Sequence, residues 1–177
     1  MRKCIKGAQL LCTKMNNGSI IVRVNMEIQD ITKPAVLIGE EASFKEALSM
    51  MVTQKTNTLL VVDSDGKLTG EVGVSNLLDA IVPDYLNGDS IAANFATREM
   101  PKEAVTDAEE KQVQFFMSRE LTPIDFNDSL MSVAAIAIAN NQVRTPVIDA
   151  DNRPIGIISR QGLKRIIAEH LGIKDSA

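Results

Sequence analysis

Tryptophan is absent from this chain of 177 residues, tyrosine occurs once and phenylalanine five times. So few rings leave no aromatic platform on which single-stranded nucleic acid could stack. A net charge of −4 removes the cationic excess that a phosphate backbone needs. Nucleic acid is therefore not an expected partner. No apolar run approaches the roughly 18 residues that a membrane-spanning helix requires, so no membrane partner is expected either. The two cysteines, Cys4 and Cys12, have a spacing that fits no zinc or redox pattern. They read as free thiols, which points to the cytoplasm. The start of the chain is too short in apolar residues, and too broken by Gly7 and Gln9, for a signal peptide. His170 is the sole histidine, and a surface or helix-dipole role suits it better than catalysis. No Gly-x-Ser-x-Gly, phosphate-binding loop or metal-ligand spacing occurs. The chain reads as a non-enzyme with no catalytic residue, no metal site and no required cofactor.

What is present is apolar aliphatic weight, 45% hydrophobic residues carried by Val, Ile, Leu, Ala and Met. That amount supports one or two cores without metals or disulfides. Residues 1–27 read as an N-terminal extension with one candidate strand over 20–24, and Met26 offers an alternative start. From there on the chain repeats itself. A shift of 86 residues places Ser43 on Ser129, Val61 on Val147, Asp63 on Asp149, Asp65 on Asp151, Gly70 on Gly156, Leu77 on Leu163 and Ile81 on Ile167, without a gap. Seven identities in one register establish an internal duplication.

Both copies have the same order of elements. A short strand (35–38; 122–124) leads to a helix opened by Ser43 or Ser129. In the first copy Ser43 and Glu46 form a capping box, and Phe44, Ala47, Leu48, Met51 and Val52 keep the 3.6-residue period of a core-facing helix. Met50, Met51 and Met131 also read as packing residues. Two strands follow (58–63 and 68–72; 143–149 and 155–158). Between them lie the turns Asp63-Ser-Asp-Gly66 and Asp149-Ala-Asp-Asn152. The paired aspartates suit turn chemistry, since their spacing lacks the remaining ligands of a calcium loop. A last helix closes each copy (75–81; 160–171). Ser159 falls at an N-cap position, ahead of Leu163, Ile166 and Ile167. The expected fold is α+β, strands layered against helices, with two β-α-β-β-α repeats packed pseudo-symmetrically sheet to sheet. Repeat one covers 28–83, a helical connector 84–116, repeat two 117–172 and a short tail 173–177. Within the connector, 91–99 and 102–116 read as helices.

The doubled pattern of apolar strand, Asp-rich turn, Gly-h-h-Ser and helix resembles a tandem CBS domain pair, or Bateman module. The residues that carry the resemblance are 61–72 and 146–159, and Phe116-Met-Ser-Arg119 resembles the family's entry into its second repeat. The resemblance implies a non-catalytic regulatory module, commonly dimeric, that senses an adenosine-containing ligand in clefts between the repeats. AMP, ADP, ATP and S-adenosylmethionine are the implied ligands. The regulated partner stays unidentified. In the family's Gly-h-h-Ser/Thr-x-x-Asp motif the hydroxyl and helix start hold phosphate and the carboxylate holds ribose. Here the first repeat has Gly73 and Asn76 at those positions, and the second has Ser159 and Gly162. One cleft is then expected to use Ser159, Arg160, Ile157, Ile158 and Gly162 with Val36, Thr56 and Asn57. A weaker one uses Ser75 and Asn76 with Thr122 and Val143. The alternative is a degenerate pair with empty clefts that serves dimerisation or docking.

Overall fold

The computed structural model describes residues 10–11, 23–24, 28–82, 102–140 and 143–173. Most of the N-terminal extension, both cysteines, the helix expected over 91–99 and the tail beyond 173 lie outside the described residues. In chain order the elements are β1 (Leu10–Leu11), β2 (Arg23–Val24), α1 (Ile28–Ile31), β3 (Leu37–Gly39), α2 (Phe44–Gln54), β4 (Thr58–Val62), β5 (Leu68–Gly73) and α3 (Val74–Ile81). The second half continues with α4 (Lys102–Ala108), a 3-10 turn at Val113–Phe115, β6 (Ile124–Asp125), α5 (Leu130–Ala139), β7 (Arg144–Ile148), β8 (Pro154–Ser159) and α6 (Arg160–His170). This is the α+β arrangement with two β-α-β-β-α repeats. Each repeat forms its own three-stranded sheet, β3-β4-β5 and β6-β7-β8. In the first, β3 runs parallel to β4, with Leu37 opposite Leu60, and β4 runs antiparallel to β5.

Local chemistry explains where these elements start and turn. Ser43 Oγ accepts the Glu46 N–H, while the Glu46 carboxylate accepts the Ser43 N–H at 2.7 Å, so two orphan donors of α2 are satisfied. Ser129 caps α5 by accepting the Ser132 N–H. Asp63 Oδ1 accepts the N–H groups of Asp65 and Lys67, both at 2.9 Å, and Asp149 Oδ1 accepts those of Asp151 and Arg153, also at 2.9 Å. The turns close through left-handed Gly66 (φ 78°) and Asn152 (φ 62°), at matching positions of the two copies. Among the described residues no group of three acidic, His or Cys side chains is arranged to hold a metal ion.

Two expectations change. The helix over 102–116 stops at Ala108. Beyond it the carbonyls of Glu109 and Lys111 accept the N–H groups of Lys45 and Phe44, the otherwise unpaired donors at the start of α2. Tertiary hydrogen bonds have replaced the next helical turn. The Glu109 carboxylate also pairs with the Lys45 ammonium, and that hydrogen bond raises the lysine pKa above its ordinary value. In α2, Phe44, Ala47 and Met51 enter the core, but Leu48 is 42% exposed and Val52 70% exposed. Met131 on α5 is 79% exposed and is not a packing residue. The apolar stripes are wider than the faces that the sheets cover.

The first core joins Phe44, Ala47 and Met51 to Leu59, Val61, Val72 and Leu77, together with Ala108, Val113 and Phe116. Phe44 and Phe116 meet edge to face, with centroids 5.8 Å apart. The second core joins Ile124, Val133, Val147 and Ile158 to Ile28 and Ile31. Each fully buried side chain of this kind contributes on the order of 1.5–3 kcal/mol.

The chain divides into two compact units, and neither is one continuous stretch. One contains Met1–Lys33, Thr122–Val147 and Gly156–Ala177; the other contains Pro34–Leu121 and Ile148–Ile155. The opening segment of each repeat therefore packs on the other copy. Lys33 pairs with Ile157 by two backbone hydrogen bonds of 2.9 and 2.8 Å, and Ser118 pairs with Glu71 by two of 2.9 Å. Among the described residues no helix is long and apolar enough to cross a membrane.

Candidate functional site

The crossing segments explain the glycine that opens each Gly-h-h-Ser/Gly stretch. A Cβ on Gly156 would lie 2.5 Å from Thr32 Cγ2 and 2.6 Å from the Lys33 carbonyl oxygen. One on Gly70 would lie 2.8 Å from the Ser118 carbonyl oxygen and 2.9 Å from Met117 Sδ. In both copies the backbone of the crossing segment occupies the space of the missing side chain. The glycine serves the fold before it serves any ligand.

Ser159 ends β8, and its Oγ accepts the Gly162 N–H at 3.3 Å. The expected N-cap is in place, and one lone pair of the hydroxyl is used by the helix itself. The Arg160 N–H reaches the Val143 carbonyl at 3.4 Å, which places Val143 beside the start of α6. The first copy repeats this geometry around Gly73, Ser75, Asn76 and Asn57. The Cβ position of Gly73 is 3.6 Å from Asn76 Oδ1, 3.6 Å from Ser75 Oγ and 3.8 Å from the Asn57 carbonyl. Lacking a hydroxyl at Gly73, that helix keeps only the reciprocal bond, in which Asn76 Oδ1 accepts the Gly73 N–H at 2.8 Å.

The remaining sequence-named residues are already engaged in the fold. Ile158 is 1% exposed inside the second core, so its side chain has no surface for a ligand. Ile157 commits its backbone N–H and C=O to Lys33. Val36 packs on the first core, and its carbonyl accepts the Leu60 N–H. Thr56 Oγ1 donates to the Thr58 carbonyl at 3.0 Å, and Thr122 is half-buried just before β6. Gly162 stands where the family motif has its carboxylate. A Cβ there would meet Ile31 Cβ at 3.3 Å and the Ile31 carbonyl at 3.5 Å. A side chain at this position would press on Ile31 of α1, which would have to give by a few tenths of an ångström.

Two cavities flank these positions. In the unit that holds α6, a cavity of about 580 Å³ is lined by Asp30 and Lys33 from the crossing segment and by Gln161, Gly162, Lys164, Arg165 and Ile167 of α6. The Arg165 guanidinium donates to the Asp30 carbonyl at 2.9 Å and is held across its wall. In the other unit a groove of about 530 Å³ runs over Leu48, Val52, Val74, Leu78 and Ile81, with Thr56 and Asn57 at one edge. Lys33, Lys164 and Arg165 were not foreseeable as a group. The only sequence signal is the spacing of Gln161, Lys164 and Arg165, which sets them on one side of a helix.

The CBS domain family model matches residues 27–83 and 111–169, more than half of the chain. The protein belongs to the CBS domain family, and its two matches make it a tandem CBS pair. An uncharacterised protein of Methanocaldococcus jannaschii, MJ1426, is 25% identical over 165 residues, covering 86% of this chain and 95% of that protein. The fold is similar to that of CBSX2 solved in complex with AMP, with TM-score 0.61, 22% identity, and coverage of 82% of this chain and 98% of that one. It is also similar to the CBS domain pair of MJ0100 solved with 5′-methylthioadenosine and S-adenosyl-L-methionine, with TM-score 0.59, 21% identity and coverage of 82% and 98%.

Proposed function

We propose that this CBS pair is a non-catalytic regulatory module of the cytoplasm that binds an adenosine-containing ligand and passes its occupancy to a partner protein. The observation that carries the reading is the start of α6. A capped helix N-terminus at Ser159 adjoins a cavity of about 580 Å³, a volume suited to a small ligand. The AMP complex of CBSX2 and the 5′-methylthioadenosine and S-adenosyl-L-methionine complex of MJ0100 support the choice of adenosine compounds. A bound ligand stabilises the folded chain by about 2.7 kcal/mol at a hundredfold excess over its dissociation constant. A thermal-shift series with AMP, ADP, ATP and S-adenosylmethionine tests this directly. A rise in Tm with one or more of them is expected, and no shift with any at millimolar concentration sinks the reading.

A second reading, a CBS pair without ligand that works as a dimerisation or docking module, is favoured by one observation. Gly73 and Gly162 leave both motifs incomplete, while Leu48, Val52, Val74 and Leu78 expose a continuous apolar groove. A homodimer is proposed under either reading. Sedimentation combined with function in cells, compared for wild type, Val52→Lys and Arg160→Ala, distinguishes them. Under the second reading the substitution abolishes assembly and function in cells, while Arg160→Ala changes neither.

A further inference from the structure

We infer that the cavity beside α6 selects a polyphosphate, a nucleoside di- or triphosphate, over AMP and over S-adenosylmethionine. The inference rests on the ligand-binding reading above and names the ligand class of the same region. The lining carries Lys33, Lys164 and Arg165 against the single carboxylate of Asp30, a formal excess of two positive charges in a chain whose net charge is −4. Positive charge concentrated in one concave wall of an acidic protein focuses an attractive field on anions.

The three cations are not equivalent. The Arg165 guanidinium is anchored to the Asp30 carbonyl at 2.9 Å. Among the described residues the ammonium groups of Lys33 and Lys164 have neither an ion-pair nor a hydrogen-bond partner. Two exposed lysines that line one cavity gain from a multivalent anion. They come from segments more than a hundred residues apart, brought to one wall by the pairing of Lys33 with Ile157. The N-terminal turn of α6, an eleven-residue helix, adds the backbone N–H of Gln161 on the same lining, while the Gly162 N–H is taken by the Ser159 cap. Apolar Ile167 and Ala168 complete the wall and offer a surface to a base or ribose.

This charge pattern ranks ligands. AMP brings about two negative charges and engages one lysine well, whereas ATP brings about four and can engage both. Each additional charge-assisted phosphate contact is expected to raise affinity about tenfold. S-adenosylmethionine carries a sulfonium and an ammonium against one carboxylate, and the lysines repel it.

The test is calorimetric titration of the full chain in magnesium-free buffer with ATP, ADP, AMP, S-adenosylmethionine and inorganic tripolyphosphate. Wild type, Lys33→Gln and Lys164→Gln are compared, with thermal melts showing that the exposed substitutions leave folding intact. The expected order is ATP, then ADP, then AMP, with S-adenosylmethionine weakest. Either lysine substitution lowers ATP affinity tenfold or more and AMP affinity less than threefold. Equal affinity for ATP and AMP, or tighter binding of S-adenosylmethionine, overturns the polyphosphate inference and leaves adenosine sensing standing. Lysine-dependent binding of tripolyphosphate with no preference for ATP supports the anion site and removes the adenosine reading. Binding that both lysine variants retain unchanged overturns the site itself, and no binding of any probe overturns both.

Discussion

Replacing Gly156 by alanine tests the central structural claim, that the opening segment of each repeat is held by the opposite copy. The added methyl group would stand 2.5 Å from Thr32 Cγ2 and 2.6 Å from the Lys33 carbonyl oxygen. The second contact is with backbone and cannot be relieved by a rotamer change. The crossing segment must move away from β8, which stretches two hydrogen bonds of 2.9 and 2.8 Å between Lys33 and Ile157. Two such bonds contribute about 1 kcal/mol each, and forced overpacking costs about 1–3 kcal/mol. A loss of about 3 kcal/mol is therefore expected. For a chain of this length that lowers Tm by roughly 6–12 °C. If α1 detaches altogether, Ile28 and Ile31, each 3% exposed, leave the core and the loss is larger. The assay is urea denaturation beside Gly39→Ala, where an added Cβ meets nothing within 4 Å. The control is expected to stay within about 0.5 kcal/mol of wild type. A Gly156→Ala protein as stable as the control refutes the reasoning. So would one whose α1 amides exchange no faster than in the wild type.

The other predictions concern single atoms. Gly162→Asp restores the family carboxylate in sequence, yet its Cβ would crowd Ile31 at 3.3 Å. The expected result is a loss of about 1–3 kcal/mol with no gain in AMP affinity; tenfold tighter binding at an unchanged Tm contradicts it. Ser159→Ala removes the acceptor for the Gly162 N–H and should cost about 1 kcal/mol in denaturant melts with or without ligand. Asp63→Ala and Asp149→Ala each free two turn N–H groups and should lower stability by about 1–2 kcal/mol. Calcium should leave the wild-type Tm where it is, and a calcium-dependent shift would show that these aspartates are ligands. Thr145 is 2% exposed, and among the described residues its hydroxyl has no hydrogen-bond partner. Thr145→Val is therefore expected to be neutral or stabilising by up to about 1 kcal/mol, and a clear destabilisation in chemical melts would reveal a hidden partner.

The strand and helix order, the serine caps and the aspartate turns were legible in sequence because each depends on residues within a few positions of one another, and the duplication was legible because it repeats those local patterns in one register. Ser43 needs only Glu46, Asp149 needs only the N–H groups of Asp151 and Arg153, and a cap or turn of this kind is complete in itself. Even the family could be read, since Gly70, Gly156 and the turns recur in register. The reason for those glycines could not. Gly156 is a glycine because Lys33 runs over it, and Gly162 lies close against Ile31; both contacts join segments that sequence distance hides. The same holds for Leu48 and Val52, whose spacing is that of core residues. Periodicity says which side chains share a face, but only the neighbours of that face decide how much of it is covered.

The opening of the α6 helix shows the division most clearly. That Ser159 would cap it followed from a hydroxyl placed before an apolar helical pattern. That Lys33, Lys164 and Arg165 would share one wall was decided by the crossing segment, whose backbone pairing with β8 carries a distant lysine to the cavity. Short-range hydrogen bonding is written in neighbouring residues. The electrostatics of a cavity belong to whichever segments the chain folds together around it.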